Sequence, residues 1–376
     1  MAIQPSTLEF PCGAPPAVGD LKEVASGVYW ARMPLPFRLD HINVWVLEDG
    51  DGWTLVDTGL GRSEAGMSAW RNILEPARSR LRPVRRVMAT HFHPDHLGLA
   101  GWLCDMFAAE LWITRTEWLT AQYHLSARSA REQEAQRNHY RKNGLDEDVI
   151  AALDARTGGY PDSMSPLPPF YRRLEAGSEV AIGGRTWRVL IGEGHAPELA
   201  CLYCPELGVL ISGDQILPQI TPNVGVWPDQ PTADPLGLFL DSLKRFTALP
   251  KDTLVLPSHG LPFRGLHTRI DELISHHTDR LATLEAACIT GQTAAGTIPI
   301  LFPRQLDPKQ LSLALGEALA HLHHLAALGR LACEPGRGGI RVFQTQISAT
   351  APASGRDFRH PLQPGSGKGP SFHVRG

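Results

Sequence analysis

The stretch Thr90-His91-Phe92-His93-Pro94-Asp95-His96-Leu97-Gly98 constrains this chain more than any other. It places three histidines and a carboxylate within the six positions 91–96. Ahead of it, Val84-Arg85-Arg86-Val87-Met88-Ala89-Thr90 alternates apolar and polar residues closely enough to predict a strand. Behind it, Leu97-Gly98-Leu99-Ala100-Gly101-Trp102-Leu103 opens as a helix. The four polar side chains therefore fall on a strand-to-helix turn that neither regular element buries. Imidazole and carboxylate are ligands of borderline and hard divalent cations, and so dense a cluster has few other uses. A turn of solvated histidines is the competing reading, and the His-x-His-x-Asp-His-Leu-Gly pattern argues against it.

The remaining bounds are broad. At 376 residues the chain has room for two domains of ordinary size. A formal net charge of −3 gives no global electrostatic argument for nucleic acid or an anionic membrane. Residues 1–19 show neither the basic segment nor the apolar run of a secretory signal. No stretch approaches the roughly 20 apolar residues that span a bilayer. Six cysteines without framework spacing suit a reducing cytoplasm, which is the expected location. Cys201 and Cys204 form a C-x-x-C, but on a strand residues three apart point to opposite faces. They are expected to be two structural cysteines rather than a chelating pair.

Taken in order, residues 1–20 are a Pro- and Gly-rich N-terminal extension, and short strands are expected over 27–32 and 42–48. Asp49-Gly50-Asp51-Gly52 then signals a hairpin into 53–59. Asp57 closes that run, either as a turn carboxylate or as a partner that orients a metal-bound imidazole. A helix is expected over 63–75. The basic run Arg78, Arg80, Arg82, Arg85 and Arg86 reads as a solvated connector, with no aromatic residues interleaved. After a strand over 109–114, residues 115–175 are helical and polar, with nine basic and nine acidic side chains. That insertion is a candidate lid or substrate-binding segment. Its cluster Arg128, Arg131, Arg137, Arg141 and Lys142 reads as a solvated helix face before it reads as an anion contact. Strands resume at 179–182 and 186–191 around Gly183-Gly184.

Three isolated polar residues then stand at the ends of apolar runs, each beside a glycine: His195, Asp214 and His259. Backbones can crowd together at such places and let side chains converge. Past residue 266, helices are expected over 268–288 and 308–330. The second carries Leu311, Leu315, Leu319, Leu322 and Leu325 at spacings of three and four. A hairpin follows, so residues 267–345 read as a small winged-helix-like module. Residues 346–376, rich in Ser, Gly, Pro and Arg, are expected to be a disordered tail.

Asp57 in Leu-Val-Asp-Thr-Gly, the 90–98 motif, His195 in Gly-His-Ala-Pro, Asp214 in Ser-Gly-Asp and His259 in Ser-His-Gly together resemble the metallo-β-lactamase superfamily. Their order and spacing are similar to its glyoxalase II-like hydrolases, over roughly residues 21–266. The C-terminal module and the loop Pro222-Asn223-Val224-Gly225-Val226-Trp227 look like a narrower branch that includes a lactamase-beta-like single-strand endoribonuclease. The resemblance implies an α/β fold, a four-layer αβ/βα sandwich of two mixed sheets with metals at one edge. It also implies a two-metal site: His91, His93 and His195 on one ion, Asp95, His96 and His259 on the other, with Asp214 bridging. Asp57 would orient a ligand, and Asp95 and Asp214 would be catalytic as well as ligating. Zinc is the first choice of metal, with iron and manganese also suited. The chain departs from the pattern at Ala196-Pro197-Glu198, where related hydrolases have Ser or Thr, Pro, then Gly.

The expected function is a binuclear metal-dependent hydrolase of a small thioester or ester, resembling an acyl-CoA or glutathione thioester, by attack of a metal-bridging hydroxide. The alternative is a single-strand endoribonuclease or phosphodiesterase using the same site. Against it, residues 267–345 hold seven Lys/Arg and seven Asp/Glu, without the positive excess of a nucleic-acid face. The module is therefore expected to serve packing or homodimerisation. A flavin-linked reductase would need an acidic residue at position 93, and a binding protein would be expected to have lost a ligand. Tyr123, Tyr140, Tyr160 and Trp227 are the candidates for lining a substrate pocket.

Overall fold

In the computed structural model of the chain, residues 8–75, 83–155 and 159–346 are described. Arg78, Arg80 and Arg82 of the basic run lie outside these residues, as does the expected tail beyond 346. The first sheet runs β1 (Lys22–Ala25), β2 (Val28–Pro34), β3 (His41–Asp49), β4 (Gly52–Val56), β5 (Val84–Met88), β6 (Glu110–Thr114) and β7 (Arg172–Leu174), in that order. Its first four strands are antiparallel neighbours and the last four are parallel ones. The expected hairpin closes between Asp49 and Gly52, with Gly50 at φ 64°. The second sheet contains β8 (Glu179–Ile182), β9 (Arg185–Gly192), β10 (Leu199–Cys204), β11 (Val209–Gly213) and β12 (Leu254–Pro257), in the order β12-β11-β10-β9-β8. Only β11 and β12 pair in parallel.

The alternation of side chains along these strands builds the layers. Trp30, Trp45 and Val56 of the first sheet meet Trp187, Leu202 and Ile211 of the second in one apolar core. The opposite faces of the same strands, Val44, Val46 and Leu55, pack under α1 (Glu64–Leu74), α2 (Pro94–Leu97), α3 (Ala100–Phe107) and α4 (Arg115–Leu125). On β10, Ala200, Leu202 and Cys204 face the inter-sheet core while Leu199, Cys201 and Tyr203 face away. Cys201 and Cys204 are thus on opposite faces, and both are free thiols. The outward face of the second sheet is covered by α7 (Pro235–Phe246), α8 (Leu266–Ala287), α9 (Ala294–Leu301) and α10 (Pro308–Ala327). The result is the helix–sheet–sheet–helix order that the resemblance implies.

Three local expectations change. The motif turn is itself helical: Pro94 occupies the first position of α2, where its missing N–H costs nothing, and His96 lies fully buried on that turn. The 115–175 segment is not wholly helical. After α4, α5 (Ala130–Lys142) and α6 (Glu147–Asp154) it returns as β7 to extend the first sheet. Between the two expected helices a further one, α9, forms around an internal Pro299. The C-terminal segment ends in the hairpin β13 (Leu331–Pro335) and β14 (Arg341–Thr345). Leu315, Leu319, Leu322 and Leu325 of α10 share one core with Leu199 and Tyr203 of β10, so the apolar packing of residues 267–345 is continuous with the cover of the second sheet. Among the described residues, no helix is long and apolar enough to cross a membrane.

Candidate metal centre

Five strands end at one edge of the sandwich. Just beyond the ends of β4, β5, β9, β11 and β12 come Asp57, the 90–98 motif, His195, Asp214 and His259. The sheets are tied together here, as Ala200 N–H donates to Thr90 O (2.8 Å) and Asn43 N–H to Ser258 O (2.7 Å). Two glycines make the crowding possible. A Cβ on Gly98 would sit 2.2 Å from both Gly61 N and Pro94 O, and one on Gly194 would sit 2.4 Å from Pro235 O.

All seven expected ligands converge. Ligand atoms of His91, His93 and His195 lie within 4.8 Å of one another, and so do those of Asp95, His96 and His259. Asp214 stands between the groups: its Oδ2 is 3.4 Å from His195 Nε2 and 3.5 Å from His96 Nε2, and its Oδ1 is 3.5 Å from His259 Nε2. Asp95 Oδ2 is 3.5 Å from His259 Nε2.

The surroundings set which ring nitrogen faces the centre. Asn223 O, 2.8 Å from His195 Nδ1, and His41 O, 2.9 Å from His259 Nδ1, can only accept, so each of these Nδ1 atoms donates its proton. Asp57 Oδ2 does the same for His96 Nδ1 at 2.8 Å. The Thr90 hydroxyl donates to the Asp57 carboxylate (2.9 Å) and accepts from His91 Nδ1 (3.0 Å). Four Nε2 lone pairs are thereby aimed inward. His93 is the exception, with Nδ1 directed 2.9 Å from His91 Nε2. Asp57, at the β4 end, thus contacts both Thr90 and His96 through its carboxylate.

The field is divided. Burial, reinforced by the neighbouring rings, holds His91 well below its ordinary pKa, brings His93 down to about 3 and lowers His195. Burial acts the same way on His96 and His259 but is outweighed by carboxylates. Asp214, Asp57 and Asp95 raise His96 well above its usual value, and Asp214 and Asp95 push His259 up to about 10. Burial opposes ionisation of Asp95 and Asp214, yet His96 and His259 bring Asp95 down to about 2 and Asp214 well below the carboxylate range. The carboxylate-rich half therefore calls for positive charge. Cations suit the donor set on a second ground: His96 Nε2 and Asp214 Oδ1 are buried without a hydrogen-bond partner.

Other residues that matter here carried no sequence signal. Glu117, buried on α4, accepts from Phe92 N–H (2.9 Å) and Glu198 N–H (2.6 Å), joining the loop of His91 and His93 to the loop of His195. Burial pushes its pKa up to about 7, against those two bonds. Glu198 in turn accepts from Thr116 N–H (3.0 Å) at the N-terminus of α4. That tie gives Glu198 of the departing Ala196-Pro197-Glu198 stretch a partner, while nothing in the structure explains Ala196. Beside His93 and His195 opens a cavity of about 610 Å³ between α4, α5 and the 225–235 loop. Tyr123, Tyr140 and Trp227 line it. Tyr160 does not; its hydroxyl donates to Phe92 O at 2.5 Å. Of the cationic cluster only Arg128 reaches the cavity, while Arg137 and Arg141 pair with Asp154 and Glu147.

Comparison with known proteins agrees with the geometry. Residues 38–259 match the metallo-beta-lactamase superfamily, and residues 281–346 match a metallo-beta-lactamase-like C-terminal domain. A beta-lactamase domain protein from Burkholderia ambifaria is 45% identical, with a TM-score of 0.84 over 90% of this chain and 98% of that one. A metallo-beta-lactamase family protein from Thermus thermophilus is 28% identical, with a TM-score of 0.73 over 86% of this chain and 100% of its own. The probable metallo-hydrolase YqjP of Bacillus subtilis (strain 168) is 26% identical over 306 residues, which is 79% of this chain and 91% of that protein. With its ligand cluster and these relatives, the chain belongs to the metallo-β-lactamase superfamily and is a metal-dependent hydrolase.

Proposed function

We propose that the protein hydrolyses a thioester or ester, of the kind carried by coenzyme A or glutathione, with two divalent cations, zinc foremost. One observation carries this reading: the imidazole and carboxylate cluster opens, at His93 and His195, directly onto a largely apolar cavity. His91, His93 and His195 would hold one cation and Asp95, His96 and His259 the other, with Asp214 between. When bound, such ions supply Lewis acidity and a water that ionises near neutral pH. The chain supplies the rest. Asp57, Thr90 and the carbonyls of Asn223 and His41 keep the rings aimed before substrate arrives. Phe92 and Trp227 line the cavity beside the cluster, where a bound acyl group would displace water. The ionised Asp95 and Asp214, kept well below the usual carboxylate range, can accept a hydrogen bond from the attacking water and relay, rather than store, the proton it releases. The water oxygen bonds to the acyl carbon, the C–S or C–O bond breaks, and that proton passes to the departing thiolate or alkoxide.

A ribonuclease reading finds less support. Arg269, Arg280 and Arg330, three of the seven basic side chains of the C-terminal segment, are paired with Glu272, Glu317 and Glu285, and the segment's seven acidic side chains balance its seven basic ones, so it carries no net positive charge for a phosphate backbone. The test is turnover of a thioester and ester panel beside short single-stranded RNAs, with Asp214→Ala measured in parallel. Acyl turnover should fall at least about a thousandfold in the variant, as for loss of a group acting on the reacting atoms, and bound metal should fall with it. RNA cleavage without acyl turnover would reverse the conclusion.

A further inference from the structure

We propose that the cavity beside the metal centre is an acyl-binding site that selects a medium-length apolar acyl group over acetyl. This rests on the hydrolase reading above and names the substrate class for the same site. At about 610 Å³ the cavity is far larger than an acetyl group needs and falls within the roughly 300–1,000 Å³ typical of small-molecule sites. Its walls are apolar at the reacting end. The Phe92 ring lies 4.5 Å from that of His93, and Val226 and Ala196 are buried beside it.

The mouth carries large apolar side chains left in solvent: Tyr123 is 43% exposed, Leu238 51% and Leu313 37%. Apolar groups exposed around one concavity mark a binding site. The cavity offers little charge for a polar acyl group. Arg128 is exposed and donates to Gln136, Glu132 caps α5 through Ser129, and Asp229 is exposed on the loop. The wall is also preformed. Val226 N–H donates to Gly316 O (3.0 Å), and Trp227 packs where a Cβ on Gly316 would meet its ring at 3.4 Å. A cavity that needs no closure to form can express chain-length preference directly.

The test uses the full metal-loaded chain and N-acetylcysteamine thioesters of acetate, butyrate, hexanoate and octanoate. kcat/KM should rise about fourfold per methylene until the cavity fills. Trp227→Ala and Leu238→Ser should flatten that slope. Ile289→Ser, on an exposed residue outside the cavity, should leave it intact. A flat or falling series in the unaltered protein overturns the proposal while leaving the hydrolase reading standing. If no thioester turns over, that reading fails, and calorimetry with octanoate and butyrate still decides the site. Binding of octanoate at least tenfold tighter, weakened by Trp227→Ala, supports it, and equal binding overturns it.

Discussion

Asp57 holds a left-handed backbone, φ 61°, in a position buried to zero exposure. Asp and Asn tolerate that conformation better than other side chains that carry a Cβ. Asp57→Asn therefore preserves the backbone but exchanges an acceptor for a donor. The amide can still accept from Thr90 N–H through its oxygen, which puts its NH2 against His96 Nδ1–H. His96 must then move its proton to Nε2 or turn away, and either removes a proposed ligand. Affinity for one metal equivalent should fall about 10- to 100-fold, with the other less affected, in a two-step titration against a competing chelator. Equal loss of both equivalents, or of neither, would mean that Asp57 does not act through His96. The seven proposed ligands and Asp57 were legible because each lies in a short polar break at a strand end. Glu117 and Asn223 were not. Glu117 acts on the backbone of Glu198, 81 positions away, and Asn223 acts through its own carbonyl, so residue type told nothing.

At the scale of elements, most strands and the long helices followed from alternation and three-four spacing, because each buries one face. Helix α9, with its internal proline, and the three-residue β7 had no such pattern, and only the neighbours they pack against define them. Helices α8 and α10 are joined by a buried histidine pair that the sequence did not single out. His321 Nδ1 donates to Glu317 O (2.7 Å), so its Nε2 accepts from His277 Nδ1 (3.1 Å), and His277 Nε2 is left without a partner. Burial, with Arg280 nearby, lowers His321 to about 4 and His277 to about 2. A histidine that is neutral in the fold and basic when unfolded makes the unfolded chain bind more protons below pH 6.5. Stability is therefore full above that value and is lost as pH falls towards 4. For His321 alone the loss is about 2 kcal/mol at pH 5. The double variant His277→Phe/His321→Leu should show a smaller drop in urea midpoint between pH 7.5 and pH 5 than the unaltered protein. Measuring both without metal cancels the titration of the metal centre, and parallel drops would place the acid sensitivity elsewhere.

At the scale of the whole molecule, the C-terminal helices decide where the site loop lies. Arg269 of α8 donates to Leu217 O (2.6 Å) and Ile220 O (3.0 Å), His323 of α10 to Ala233 O (2.9 Å), and Arg341 of β14 to Pro231 O (3.3 Å). Between these anchors the Asn223 side chain reaches Glu317 at 3.4 Å while its carbonyl orients His195. One segment thus fixes a cavity wall and a proposed ligand together, a role that a boundary drawn at residue 266 does not suggest. Cutting there would also strip cover from Leu199, Tyr203, Leu210, Phe239, Leu243 and Phe246, which share a core with α8 and α10. Burying each such side chain contributes about 1.5–3 kcal/mol, so exposing several would exceed a net stability of about 5–15 kcal/mol. A chain ending at Gly265 should therefore show no cooperative thermal transition and retain no metal. A soluble fragment that melts cooperatively and keeps its metals would instead make residues 267–345 a separable module, and the control of the 217–235 loop would have to come from within the sandwich itself.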